Sequence, residues 1–273
     1  MSELSGVVMN FWILGRVAAG SGDRLVHFRG GMQGALLMAL LAAEGQILST
    51  GTLITELWGD NPPDSVENAL QAHVSRLRRK LQSIEPDRPT SRLVAQASGY
   101  RLLLDGAGVD AKVFTDALAA ARAAVGVRPT EVAYRLREAL ALWQGPAFGG
   151  TAAGMTAEAA AVRLEESRIA ALELLFDVEL KLGCHTDIVP ELTALVRVEA
   201  PNERLCEQLM VALYRCGRQS EALNVYQWMR NRMAEELGID PSPMLRNHER
   251  AILAHDRELR IREDHLLLRQ PVG

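Results

Sequence analysis

Between residues 65 and 81 lie the side chains of this chain best suited to chemistry with another molecule. Arg76, Arg78, Arg79 and Lys80 are cations, Asn68 and Gln71 carry amides, and Ser75 carries a hydroxyl. A guanidinium offers paired donors that match the O6 and N7 edge of guanine. An Asn or Gln amide donates and accepts at once, as the N6 and N7 edge of adenine requires, and further cations and hydroxyls hold phosphate oxygens. Covalent or redox chemistry has no comparable set. The six histidines form no HExxH-type cluster, Cys184, Cys206 and Cys216 have no CxxC spacing, and no glycine-rich phosphate loop or nucleophile motif stands out. The sequence therefore points to no catalytic residue, no metal site and no cofactor, and an enzyme is the least favoured reading.

These side chains need a rigid element to hold them, and the spacing predicts one helix. At about 100° per residue, Leu70, Val74, Leu77 and Leu81 fall within roughly 60° of each other as a narrow apolar stripe. Asn68, Ala72, Ser75 and Arg79 lie opposite, with Gln71 and Arg78 on one shoulder and Arg76 on the other. His73 sits at the edge of the apolar face and reads as a packing or backbone-contacting residue. Glu67, near the helix N-terminus, favours the helix dipole. Alone, this pattern also fits an ordinary solvated face on a surface helix, so the neighbouring segments decide.

The chain has 273 residues, enough for two domains each with a core, and a formal net charge of −4. That charge argues against a non-specific nucleic-acid coater. It hides an asymmetry, because residues 66–104 hold seven Lys/Arg against three Asp/Glu. A basic patch on one domain of an acidic protein suits local DNA contact. An odd count of cysteines without metal spacing suggests reduced thiols. The apolar run from Val7 to Leu14 is interrupted by Asn10, and no later run reaches membrane length, so a cytoplasmic, nucleoid-associated protein without membrane partners is expected.

In chain order, Phe11 to Gly15 and Leu25 to Phe28 read as short strands separated by the turn signal Gly20-Ser21-Gly22-Asp23. Ala35 to Ala42 reads as a buried helix ending at Gly45. Ser49 or Thr50 can cap a second helix running through Leu53, Ile54, Leu57 and Trp58. Gly59 to Asp64, with Pro62 and Pro63, is a loop that no helix crosses. The basic helix follows, then Arg92 to Ala95, a turn at Ser98-Gly99, and Tyr100 to Leu104. Strands, three helices and a hairpin are the order of a winged helix-turn-helix, whose third helix lies in the major groove and whose wing reaches the adjacent backbone or minor groove. Arg101 and Ser98 are then the wing contacts, and Trp58 is a core residue with a polar edge that can meet a phosphate through its indole N–H.

Asp105-Gly106-Ala107-Gly108 reads as a linker, and the remainder is helical in pattern. One helix is expected through Val113, Phe114, Leu118 and Ala121, another through Val132, Leu136, Leu140 and Trp143, and a long one from about Thr156 to Leu182. Gly183 and Gly217 are 34 residues apart, and the same offset pairs Leu180 with Tyr214 and Leu192 with Tyr226. That is the tetratricopeptide period, two helices and a turn, which stacks into concave partner-binding surfaces; a plain helical bundle is the alternative. The expected division is residues 8–105, residues 110–255 and a charged tail at 256–273.

Several motifs in the same order resemble the Streptomyces antibiotic regulatory proteins over about residues 9–255. Ala35-Leu36-Leu37-x-Ala39-Leu40-Leu41, Leu57-Trp58-Gly59-Asp60-x-Pro62-Pro63, Leu70-Gln71-x-His73-Val74-Ser75-Arg76-Leu77-Arg78-Arg79 and Ser98-Gly99-Tyr100 resemble the OmpR-type winged helix of that family. Leu142-Trp143-x-Gly145-Pro146-Ala147, Arg163-Leu164-Glu165-Glu166-x-Arg168, Gly217-Arg218-Gln219-x-x-Ala222-Leu223-x-x-Tyr226 and Glu235 to Pro243 resemble its bacterial transcriptional activation domain. The resemblance implies a mainly α protein, an N-terminal OmpR-type winged helix (α+β) followed by an all-α tetratricopeptide-like domain. It implies an activator binding direct repeats in double-stranded promoter DNA near the −35 region, with a second protomer on the DNA. It further implies recruitment of RNA polymerase holoenzyme, through sigma and other subunits, at antibiotic or other secondary-metabolite genes. Larger members append further modules, so a small member or the regulatory half of a large one is expected.

Where the family commonly has a basic stretch entering the first helix, this chain has Gly30-Gly31-Met32-Gln33-Gly34. Fewer backbone contacts are expected there, leaving more to the third helix. Arg76 with Asn68 or Gln71 are the expected base readers, and Ser75, Arg78, Arg79 and Lys80 the phosphate contacts. Two other functions fit the same architecture, a helical-repeat adaptor that does not use DNA and a repressor using the same DNA-binding domain.

Overall fold

The computed structural model describes residues 8–28, 30–198 and 201–256 together with Leu259. The expected tail at 256–273 therefore lies outside the described residues except at Asp256 and Leu259. Two compact units emerge, one from residues up to Ala120 with Glu138–Ile169, the other from Ala121–Arg137 with residues from Ala170 onward.

The first unit begins with a sheet of β1 (Asn10–Trp12), β2 (Ala18–Ser21) and β3 (Arg24–His27), paired antiparallel in sequence order. The expected turn at Gly20 to Asp23 narrows to Gly22-Asp23, since Gly20 and Ser21 pair with Leu25 and Arg24. β2 has the sequence Ala-Ala-Gly-Ser, which has little strand propensity of its own; its neighbours and its burial make it a strand. The segment expected as a linker also joins this sheet. Gly108–Val109 is β7, parallel to β1 with Phe11 opposite Val109.

Between these strands come α1 (Gly31–Ala42), β4 (Leu48–Ser49), α2 (Thr50–Trp58), α3 (Val66–Ile84), β5 (Leu93–Gln96) and β6 (Gly99–Leu102). α1 starts four residues earlier than the apolar run suggests, at the glycines themselves, with no side-chain cap. Burial decides this, because Gly34 through Ala42 are all enclosed, and a helix apolar on every side is held by its neighbours rather than by propensity. α2 and α3 pack on α1 and on each other.

Directly after β7, Asp110 opens α4 (Asp110–Ala124). Its buried carboxylate accepts the backbone N–H groups of Ile13 (2.9 and 3.0 Å), Leu14 (3.0 Å) and Ala111 (2.7 Å), tying the end of β1 to the start of the helix. Burial pushes this carboxyl above the usual carboxylate range, with the N–H groups pulling the other way. α5 (Pro129–Leu140) ends before Trp143, which the periodicity places on it. Trp143 instead lies buried past the helix end, edge-on to Phe114 at 5.4 Å, with the chain there fastened by Gln144 N–H to Leu14 O and Phe148 N–H to Ile13 O. α6 (Met155–Lys181) begins where Glu56 of α2 accepts Thr156 N–H at 2.9 Å and its hydroxyl at 2.8 Å. A carboxylate at a helix N-terminus is electrostatically favoured.

The second unit contains α7 (His185–Val198), α8 (Glu203–Arg215), α9 (Gln219–Leu237) and α10 (Pro243–Leu253). Its turns carry the 34-residue period in their hydrogen bonds: Cys184 N–H reaches Glu179 O at 2.9 Å, and Arg218 N–H reaches Leu213 O at 2.9 Å. Between these atoms sit Gly183 (φ 78°) and Gly217 (φ 75°), in the left-handed conformation that glycine adopts without steric cost. Two helical hairpins thus end on the same cap, with α7 packed on α8 and α8 on α9. Arg204 binds both oxygens of Asp177 and one of Glu207, while Gln208 donates to Asp177 and to Glu173 O. Cys206 is buried, and burial with Glu203 and Glu207 nearby pushes its thiol up to about 12.

Removing the Asp110 carboxylate strands three buried N–H groups. Asp110→Ala is expected to lower unfolding free energy by about 2–3 kcal/mol, measured by urea denaturation; an unchanged midpoint would show that the tie is dispensable.

Candidate nucleic-acid interface

α3 buries Leu70, Val74, Leu77, Leu81 and Ile84. With that stripe fixed, Asn68, Gln71, Ser75, Arg76 and Arg79 are carried to the exposed side. Among the described residues, none of these five side chains is held by a hydrogen bond or an ion pair. Their donors and acceptors are open to a partner.

The other two cations of the basic run are half-buried and engaged. Arg78 donates from Nε to Leu93 O of β5 at 2.7 Å, and its guanidinium lies 5.9 Å from the Tyr100 ring of β6. Lys80 places its ammonium 4.2 Å from the Phe28 ring centroid, a distance at which a cation is attracted to the π face. Arg78 thus braces α3 against the hairpin, and Lys80 covers a core aromatic.

The hairpin is anchored from two further sides. Gly99, expected in the turn, is the first residue of β6, and the turn is Ala97-Ser98. A Cβ on Gly99 would stand 2.0 Å from Leu48 O, so only glycine lets β4 approach at this point. Thr50 N–H donates to Ser98 O at 3.1 Å, while Ser49, rather than Thr50, caps α2 by accepting Thr52 N–H at 3.0 Å. At the hairpin base, Arg92 is 3% exposed. It makes a two-pronged bond to Glu85 (2.7 and 2.9 Å) and donates to Leu103 O and Asp105 O. Gln82 holds the loop between helix and hairpin through the carbonyls of Glu85, Pro86 and Arg88.

Ser98 has an exposed side chain at the hairpin tip, and Arg101, opposite Val94 on β6, is half-buried with its Nε enclosed and lacking a hydrogen-bond partner among the described residues. Trp58 is half-buried at the end of α2 and meets the His73 ring edge-on at 5.9 Å. Burial, then the charge of Arg76, holds the His73 imidazole below its usual 6.5, and its Nδ1 is enclosed without a hydrogen-bond partner among the described residues. A proton there would add a second positive charge beside Arg76 and a buried N–H with nothing to bind.

Sequence reasoning missed Arg92, Glu85 and Gln82 as hairpin anchors. No local signal marks Arg92 and Glu85, because their pairing depends on how the chain returns from α3 into β5. The Pro86 and Pro89 loop beside Gln82 is the one available hint.

The family model for a bacterial transcriptional activator domain matches residues 109–253, and that for the C-terminal domain of transcriptional regulatory proteins matches residues 30–102. The transcriptional regulator RedD of Streptomyces coelicolor is 36% identical over 250 residues, covering 91% of this chain and 71% of RedD. The regulatory protein DnrI of Streptomyces peucetius is 34% identical over 225 residues, covering 81% and 82%. The regulatory protein AfsR of Streptomyces griseus is 38% identical over 253 residues, 92% of this chain, which spans only 25% of AfsR. Among solved structures, Mycobacterium tuberculosis EmbR in complex with a low-affinity phosphopeptide superposes with a TM-score of 0.81 at 29% identity, covering 91% of this chain and 66% of that one. Among the described residues no helix is long and apolar enough to cross a membrane, and no group of His, Cys, Asp or Glu is arranged to hold a metal ion.

Two outcomes separate bracing side chains from open ones. Arg78→Ala is expected to lower stability by about 1 kcal/mol, whereas Arg79→Ala leaves the thermal midpoint in place; equal midpoints would remove the bracing role. For His73, the unfolded chain takes up a proton first as pH falls below 6.5. Stability from the neutral ring is therefore complete above that value and lost as pH falls through the lower folded one. Between about pH 7.5 and about pH 5.5, the wild type is expected to lose more thermal stability than His73→Gln.

Proposed function

Because the chain belongs to the Streptomyces antibiotic regulatory protein family of transcriptional regulators, which are not enzymes, we propose that it is a sequence-specific activator. In this reading it binds direct repeats in double-stranded promoter DNA near the −35 region and recruits RNA polymerase holoenzyme at antibiotic or secondary-metabolite genes. Its place of action is the cytoplasm, at the nucleoid.

The observation that carries the reading is the α3 face, five polar side chains without hydrogen-bond or ion-pair partners among the described residues, on a helix whose opposite stripe is fully buried. Inserted in the major groove, Arg76 with Asn68 or Gln71 reads base edges while Ser75 and Arg79 hold phosphates. Arg78 and Lys80 sit at the flank of that face, where the terminal nitrogens of Arg78 and the N–H groups of the Lys80 ammonium directed away from Phe28 meet the phosphate backbone. Ser98 and Arg101 serve the neighbouring groove from the hairpin, and the Trp58 indole N–H meets a phosphate beside α2. Residues 8–105 act as the DNA-binding domain. Residues 110–255 hold the second protomer or a polymerase subunit, sigma among them, and the segment 256–273 is appended to them.

In vitro selection on random duplexes, then footprinting with and without polymerase, tests this reading. Arg76→Ala should weaken the selected site by about 1–3 kcal/mol and relax preference at one base pair. Arg79→Ala should weaken all sequences alike and reduce the salt slope by about 1. A chain with no salt-dependent DNA affinity would be an adaptor instead, and one that only lowers transcript output would be a repressor.

A further inference from the structure

A crevice of about 500 Å³ opens in the first unit, walled by the C-terminal end of α1, the first two turns of α4 and the middle of α6. Its volume falls in the range of small-molecule sites. The floor is apolar and closed to solvent, with Ile13 3%, Leu41 2%, Phe148 1% and Ala160 5% exposed. Its charged groups all lie at the mouth.

Those charges are not equivalent. Lys112 is neutralised by Asp116, with Nζ 3.0 and 2.9 Å from the two carboxylate oxygens. Arg163 has no ion pair and no side-chain hydrogen bond among the described residues. It stands in the row Ala160, Arg163, Leu164 and Ser167, the one face that α6 presents to the crevice. Its side chain is exposed at the mouth, on the same helix face as the wall residues Ala160 and Leu164. Glu44, the remaining charge, is on the exposed loop beyond α1.

We propose that this crevice binds a small amphipathic carboxylate, with its apolar chain or ring on Leu41, Phe148 and Ala160 and its carboxylate on the Arg163 guanidinium. The guanidinium fork matches a carboxylate with two parallel hydrogen bonds, and the closed floor excludes water from the apolar body. An occupant touches α1, which carries α3, and also α4 and α6, so it stabilises these elements together by mass action.

The shared chemistry covers an acyl chain and an aromatic ring, which two probes separate: decanoate and 1-naphthoate, each titrated calorimetrically into the full chain beside its uncharged alcohol analogue. Saturable one-site binding of at least one carboxylate, with a raised thermal midpoint, is expected. Arg163→Gln, at an exposed position, should weaken it roughly tenfold, and Glu44→Gln should leave it unchanged or tighter. Thr115→Trp, which fills the mouth from the exposed side of α4, should abolish it. Neither carboxylate binding, or the alcohols binding equally well, would overturn the proposal. So would affinity that survives Thr115→Trp, or weakening by Glu44→Gln in place of Arg163→Gln.

Discussion

A helix with one apolar stripe can be buried in one orientation only. In α3 that stripe is Leu70, Val74, Leu77, Leu81 and Ile84, set against a first helix enclosed on almost every side. Rotating α3 by one residue would expose leucines and bury arginines, a loss of several kcal/mol on area and charge grounds. The outward direction of Asn68, Gln71, Ser75, Arg76 and Arg79 follows from this constraint, as does the position from which the hairpin can be braced.

The same constraint explains what was legible in the sequence. A stripe of period near 3.6 is a local pattern, so α3 and its exposed face could be read from residues 65–81 alone. The 34-residue repeat was legible because glycine caps recur at fixed spacing. Trp143 was misplaced because apolar periodicity continues past Leu140, while the backbone leaves the helix to bond with Leu14 and Ile13. β2 was invisible because Ala-Ala-Gly-Ser has little strand propensity, and β7 because it is two residues long and pairs with β1 at the other end of the domain sequence. Which cations are open and which brace the fold was likewise unreadable. Arg78 and Arg79 are neighbours of identical chemistry, distinguished only by a carbonyl 15 residues away.

Long-range polar ties join segments that a domain diagram would separate. Asp110 binds the backbone of β1, 96 and 97 residues earlier, and Glu56 of α2 caps α6 across 100 residues. Through these two carboxylates the winged-helix strands and helices share a compact unit with the beginnings of α4 and α6. Buried carboxylates in such places are sensitive to substitution, since removing them leaves backbone donors without water or partner.

The division of labour within the basic run bears on how relatives of this chain could diverge. Among the described residues, Asn68, Gln71, Ser75, Arg76 and Arg79 make no side-chain hydrogen bond or ion pair inside the fold, so their identities can drift between paralogues at little cost to folding. Arg78, Arg92 and Gly99 are bound to the scaffold and are not free to drift. On the proposed reading of α3 as the DNA-contacting helix, duplicated copies of such a gene acquire new target sites through a handful of changes on one helix face, and the chassis that presents the face stays intact.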